Sequence, residues 1–144
     1  MPVRNFEVTF DATNSKTLAA FWMEALGYEP MGPPTGYDSW EEWRIKMELS
    51  VEEMDEGASI AAPDGSRYIT FLNVPEPKTA KNRMHLDLDV LPDRRAPVLE
   101  QKAIMDAEVE RLEKLGATKL YDTLVGDHYR VTMADPEGNE FCLR

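Results

Sequence analysis

The chain has 144 residues, 42% of them hydrophobic and 30% charged, which suits one folded domain with a substantial core and excludes a disordered polymer. Its formal charge of −11 excludes polyanionic partners such as nucleic acid, because the basic clusters at Lys78, Lys81, Arg83 and at Arg94, Arg95 are short and sit in an acidic chain. Apolar runs are only a few residues long, so no membrane partner is expected.

The start, MPVRNFEVTFDA, lacks an apolar segment leading to a small-residue cleavage site and is read as carrying no secretory signal. A single cysteine, Cys142, rules out an internal disulfide. Both fit a reducing compartment, and a cytoplasmic protein is expected.

From Phe6 to Asp11 apolar and polar residues alternate, which predicts a strand with one packed face. SKTLAAFWMEALG then changes period: Leu18, Phe21, Trp22 and Leu26 make a helical stripe, with Asn14 or Ser15 to cap it and Gly27 to end it. GYEPM reads as a short strand before the turn MGPPTG. Ser39 with Glu42 and Ser50 with Glu53 have the spacing of capping boxes, so two short helices are expected between Asp38 and Glu56. SIAAPDGSRYITFLNV reads as a hairpin turning at Asp64-Gly65. PEPKTAKN is the connector, about residues 75–82, between halves of about 4–75 and 83–144.

The second half opens with RMHLDLDV, where His85, Asp87 and Asp89 share one face and Met84, Leu86 and Leu88 the other. A long helix is expected from Pro92 to about Leu115, its apolar side including Leu99, Met105, Leu112 and Leu115, with Gly116 ending it. Strands follow at TKLYD, HYRVTMA and NEFCL, the last after the DPEG turn. FEVTFD matches MHLDLD, ALGYEP matches KLGATK, and APDGSRYITF matches ADPEGNEFCL. The order strand, helix, three strands is therefore repeated, and neither half buries both sheet faces alone. The expected fold is α+β: tandem βαβββ modules forming one curved mixed sheet with helices on the outer face, its cleft lined by Glu7-Thr9-Asp11 and His85-Asp87-Asp89.

The segments FWMEALGYEP, FLNVPEPKTAKNRMHLDLDV and ADPEGNEFCL, within this repeat, resemble a glyoxalase-like group of the vicinal-oxygen-chelate superfamily. That superfamily also includes extradiol dioxygenases and the fosfomycin- and bleomycin-resistance proteins. The resemblance implies a small organic substrate, a homodimer, and a divalent metal (Zn, Mn, Ni or Fe) as the cofactor of its metal-dependent members. In those members the first and last strands of each half each supply a ligand. The positions implied here are Glu7, His85, Cys142 (where relatives usually have glutamate) and Ile69, which cannot bind a metal. The match is partial. Glu140, on the same strand face as Cys142, is an alternative to it.

Three readings stay open. One is a metal-assisted lyase, isomerase or dioxygenase using Glu7, His85 and Glu140. Another is a metal-free acid–base enzyme. The third is a non-catalytic protein that sequesters a small molecule, for which Trp40 and Trp43 would form an aromatic wall. Asp87, His128 and Arg130 are further candidate ligand contacts.

Overall fold

In the computed structural model, which describes residue 2 and residues 4–144, the chain divides into two units, Met1–Pro77 and Lys78–Arg144. Each unit is built to one plan.

In the first unit, β1 (Val8–Ala12) leads into α1 (Ser15–Leu26), followed by β2 (Glu29–Pro30), α2 (Trp40–Lys46), α3 (Val51–Met54), β3 (Gly57–Ala61) and β4 (Tyr68–Asn73). Asn14 supplies the cap that starts α1, accepting the Thr17 N–H at 3.0 Å, while Asn73 accepts the Ser15 N–H at 2.7 Å from across the sheet. Gly27 ends the helix with φ 67°, a left-handed conformation that glycine adopts without steric cost. Of the two capping boxes, Ser50–Glu53 is complete. At Ser39 the backbone N–H of Glu42 is accepted, but the Glu42 carboxylate accepts from Asp38 instead. The core holds Leu18, Trp22, Ile60 and Phe71, with Phe10 against the rings of Trp22 and Phe71.

The second unit repeats the order as β5 (Leu86–Leu88), α4 (Val98–Lys114), β6 (Thr118–Val125), β7 (His128–Ala134) and β8 (Glu140–Leu143). Its core holds Met105, Leu112, Val131, Met133, Phe141 and Leu143. Helix α4 begins at Val98, later than Pro92, because residues 92–97 form turns ended by Pro97.

Leu99, expected on the apolar side, is 83% exposed, and Gln101 takes the buried position at 1%. The two lie about 200° apart around the helix, so only one can face the sheet. Gln101 wins by pairing: its Nε2 donates to the carbonyls of Ala96 and Asp127 at 2.7 and 2.8 Å, and its Oε1 accepts the Tyr129 N–H at 3.0 Å. With a longer contact to the Arg94 carbonyl at 3.4 Å the buried amide has four partners, backbone groups that leucine would leave orphaned.

The expected single curved sheet is not formed. Strands pair in two four-stranded sheets, ordered β1-β4-β3-β2 and β5-β8-β7-β6, and neither curls or closes on itself. In each, the first strand pairs in parallel with the last strand of its own half, and every other ladder is antiparallel. β1 and β5 thus each hydrogen-bond along one edge to a strand of their own half, while the proline-bearing connector forms no strand to join the sheets. Among the described residues no helix is long and apolar enough to cross a membrane.

Candidate metal centre

In the second unit the sheet has one face toward α4, marked by the Tyr129 ring under the Lys102 ammonium and by buried Val131, Met133, Phe141 and Leu143. Strand alternation sends Asp87, Cys142, Glu140, Thr132 and Arg130 to the other face. Register then selects which of them meet. Asp87 on β5 lies opposite Cys142 on β8, and Cys142 lies opposite Thr132 on β7.

His85 stands two residues before Asp87. Its Nδ1 is 2.9 Å from an Asp87 carboxylate oxygen. An ionised carboxylate can only accept, so Nδ1 is the donor in this contact. The Thr132 hydroxyl is 3.5 Å from the Cys142 sulfur. One ligand atom each from His85, Asp87 and Cys142 lie within 4.8 Å of one another.

This is a nitrogen, an oxygen and a sulfur donor gathered on one sheet face, with His85 and Asp87 exposed and Cys142 half-buried. The group is capable of holding one divalent metal ion. Imidazole, carboxylate and thiolate together suit zinc, whose catalytic sites use three protein ligands and keep one position open. A thiolate suits the manganese-type oxygen site poorly.

Around the group lies a set of ion pairs. The Arg144 guanidinium reaches Asp87 at 3.6 Å and Asp89 at 3.2 Å, and Arg94 pairs with Asp89 as well. Glu140 is outside the group: its carboxylate pairs with Lys81, and its N–H is accepted by Asn82 at 3.1 Å. That contact with Glu140 holds the Lys81 ammonium above its ordinary pKa. The connector block noted in the sequence is in this way tied to β8.

The remaining candidates are placed as follows. Glu7 is exposed and precedes β1 in the first unit. Trp40 and Trp43 meet edge to face, centroids 5.5 Å apart, and the Trp40 indole N–H donates to the Met31 carbonyl at 2.9 Å. His128 is exposed, with Nε2 3.6 Å from Asp127. Arg130 is exposed on the same face as Thr132.

Asp87 is the donor that sequence reasoning placed only among ligand contacts. The HLDLD alternation already showed it on the face of His85, but only the β5–β8 register brings it to Cys142. The repeat corrects a second position. In the first unit Thr9 pairs with Thr70 and Thr70 with Ser59, as Asp87 pairs with Cys142 and Cys142 with Thr132. The counterpart of Cys142 is therefore Thr70, not Ile69. The first half's turn is one residue longer, closing between Ala62 and Arg67 where the second closes between Asp135 and Asn139. Ile69 is buried in the core. The first unit thus presents a hydroxyl row, Ser59 Oγ 3.0 Å from Thr70 Oγ1, where the second presents metal-binding donors.

Residues 7–144 match the model of a family described as a glyoxalase-like domain. No curated protein matches the chain. Solved structures with the same fold include a fosfomycin resistance protein, FosX, from Listeria monocytogenes, crystallised with Mn(II) and dihydroxypropylphosphonic acid. It is 13% identical, with a TM-score of 0.62 over 100% of this chain and 90% of that one. FosX from Mesorhizobium loti is 11% identical, with a TM-score of 0.61 over 99% and 92%. A glyoxalase/bleomycin resistance protein/dioxygenase family enzyme from Burkholderia phytofirmans is 17% identical, with a TM-score of 0.62 over 95% and 94%. At these identities the likeness is one of fold.

Proposed function

Because this chain belongs to the glyoxalase-like domain family, we propose that it is a metal-assisted enzyme acting on a small organic molecule at His85, Asp87 and Cys142. The observation that carries this reading is the convergence of three chemically different ligand atoms within 4.8 Å on one sheet face. A divalent cation held there would supply Lewis acidity, polarising adjacent oxygens of the substrate.

The chain's own residues have separate tasks. His85 would offer a ring nitrogen of the neutral imidazole. Asp87, whose carboxylate oxygen lies 2.9 Å from the His85 ring, would offer that oxygen to the same ion. Cys142 contributes sulfur. Glu140, next along the same face of β8, is the carboxylate proposed to move a proton, with Lys81 holding it in place. The sequestration reading gains nothing from Trp40 and Trp43, which pack against each other. The protein is proposed to work in the cytoplasm, where its one thiol stays reduced, and as a homodimer, which sedimentation would test.

The deciding experiment is elemental analysis of protein purified without chelator or affinity tag, beside His85→Ala. Near-stoichiometric metal that disappears in the variant supports the proposal. No metal in either protein, and no uptake of Zn²⁺, Mn²⁺, Ni²⁺ or Fe²⁺ by the wild type, would overturn it.

A further inference from the structure

We propose that the small molecule handled at this site carries an oxyanion, a carboxylate or a phosphonate, and that Arg130 docks it. The inference rests on the reading of His85, Asp87 and Cys142 as the reacting centre and names the chemistry of what approaches it.

Arg130 lies on β7 between Tyr129 and Val131, whose buried side chains face α4, so its own side chain leaves the opposite face. It stands two residues from Thr132, whose hydroxyl touches the Cys142 sulfur at 3.5 Å. Two residues along a strand span about 7 Å. An arginine side chain covers a similar length, so its guanidinium can meet one end of a molecule whose other end lies at the three donors.

Among the described residues of this unit several cations are already neutralised, while Arg83, Arg95 and Arg130 make no ion pair, and of these three Arg130 is the one on the strand that carries Thr132. Lys81 pairs with Glu140, Arg144 with Asp87 and Asp89, Arg94 with Asp89, and Lys119 with Asp122. Among the described residues Arg130 has no carboxylate within ion-pair distance, in a chain where 27 acids outnumber 16 bases. The nearest acid on the adjoining strand, Asp122, is held on the α4 side by the Tyr129 hydroxyl at 2.7 Å. Opposite Arg130 on β6 is Thr123, exposed and able to donate a further hydrogen bond. His128, alternating with Arg130 on the same strand face, adds no negative charge.

A guanidinium presents paired N–H donors that match two oxygens of a carboxylate or phosphonate, which neither a lysine nor a neutral amide reproduces. The negative donors Asp87 and Cys142 would be offset by a bound dication, so the anion is not repelled from the metal side.

The test uses three molecules on one carbon skeleton: glycerate, dihydroxypropylphosphonate and neutral glycerol. Each is titrated calorimetrically into the full-length wild type, Arg130→Gln and Arg130→Lys, with and without Zn²⁺, and Zn²⁺ affinity is measured separately in all three proteins. The wild type is expected to prefer one of the anions to glycerol by roughly 10- to 100-fold. That preference should vanish in Arg130→Gln and return in part in Arg130→Lys, with Zn²⁺ affinity unchanged. Whichever anion binds more tightly identifies the headgroup. Equal binding of glycerol and both anions by the wild type, or a preference that survives Arg130→Gln, overturns the proposal. Failure of the wild type to take up Zn²⁺ would instead remove the metal reading, and the metal-free titrations would still decide the role of Arg130.

Discussion

A sulfur at position 142 governs which ion the three donors can favour. Exchanging it for a carboxylate by Cys142→Glu replaces a soft ligand with a hard one while keeping a negative donor. Zinc affinity is expected to fall by at least about tenfold relative to manganese, measured by competition between the two ions. An unchanged preference would show that Cys142 does not ligate. Gln101 is the residue whose removal is expected to cost most stability outside the site. Gln101→Leu keeps the volume but strips a partner from four backbone groups, and urea denaturation should show a loss of about 3 kcal/mol. Leu99→Gln, on the exposed side of the same helix, should change stability by less than about 0.5 kcal/mol.

Among the elements, α1 is tied at its start by two asparagines with different jobs. Asn14 caps the Thr17 N–H, and Asn73 reaches from β4 to hold Ser15. Asn14→Ala should cost about 1 kcal/mol by thermal or urea unfolding, since it removes the local cap. The β6–β7 pair carries a pH-dependent contact. The Tyr129 hydroxyl and the Lys119 ammonium together hold the Asp122 carboxyl below its ordinary range, and burial followed by Asp122 pushes the Tyr129 phenol up. A carboxyl depressed in the folded state contributes stability above its unfolded pKa of about 3.9, and that contribution is lost as pH falls through the folded value. Tyr129→Phe should therefore flatten the loss of stability below about pH 4 while leaving the neutral-pH profile parallel to the wild type. Identical acid profiles for the two proteins would show that the contact has no such role. The same β6 is an edge strand with Leu120, Tyr121, Leu124 and Val125 exposed, and its register shift between Lys119 and Tyr121 breaks the regular edge against which another strand would pair.

At the level of the whole molecule, an excess of eleven negative charges sets the response to salt. The ion pairs of α4 and α2 lie at the surface, where such pairs stabilise little. Net repulsion is therefore expected to outweigh them. Raising NaCl from about 20 to about 200 mM shortens the screening length from roughly 20 to 7 Å and should raise Tm by a few degrees. A fall in Tm over that range would mean that local pairs dominate.

Local chemistry was legible from the chain alone. Asn14 and Gly27 bound α1, Ser50 and Glu53 close a capping box, and alternation gave the packed faces of β1 at Val8 and Phe10 and of β5 at Leu86 and Leu88, whereas Phe6 and Met84, read on the same faces, precede the strands and are 87% and 76% exposed. The two-fold repeat was legible as well, because each copy carries its own hydrophobic pattern and its own turn. What no pattern in one strand determines is which neighbour a strand takes and in what register. Hydrogen bonding of β1 to β4 and of β5 to β8 made two sheets of what the alternation alone read as one. A single added residue in the first half's turn moved the counterpart of Cys142 from Ile69 to Thr70. The β5–β8 pairing brought Asp87, already beside His85 by alternation, opposite Cys142. Side-chain period is a property of the strand itself, whereas register is set by cross-strand hydrogen bonds and turn length, and the site is made by register.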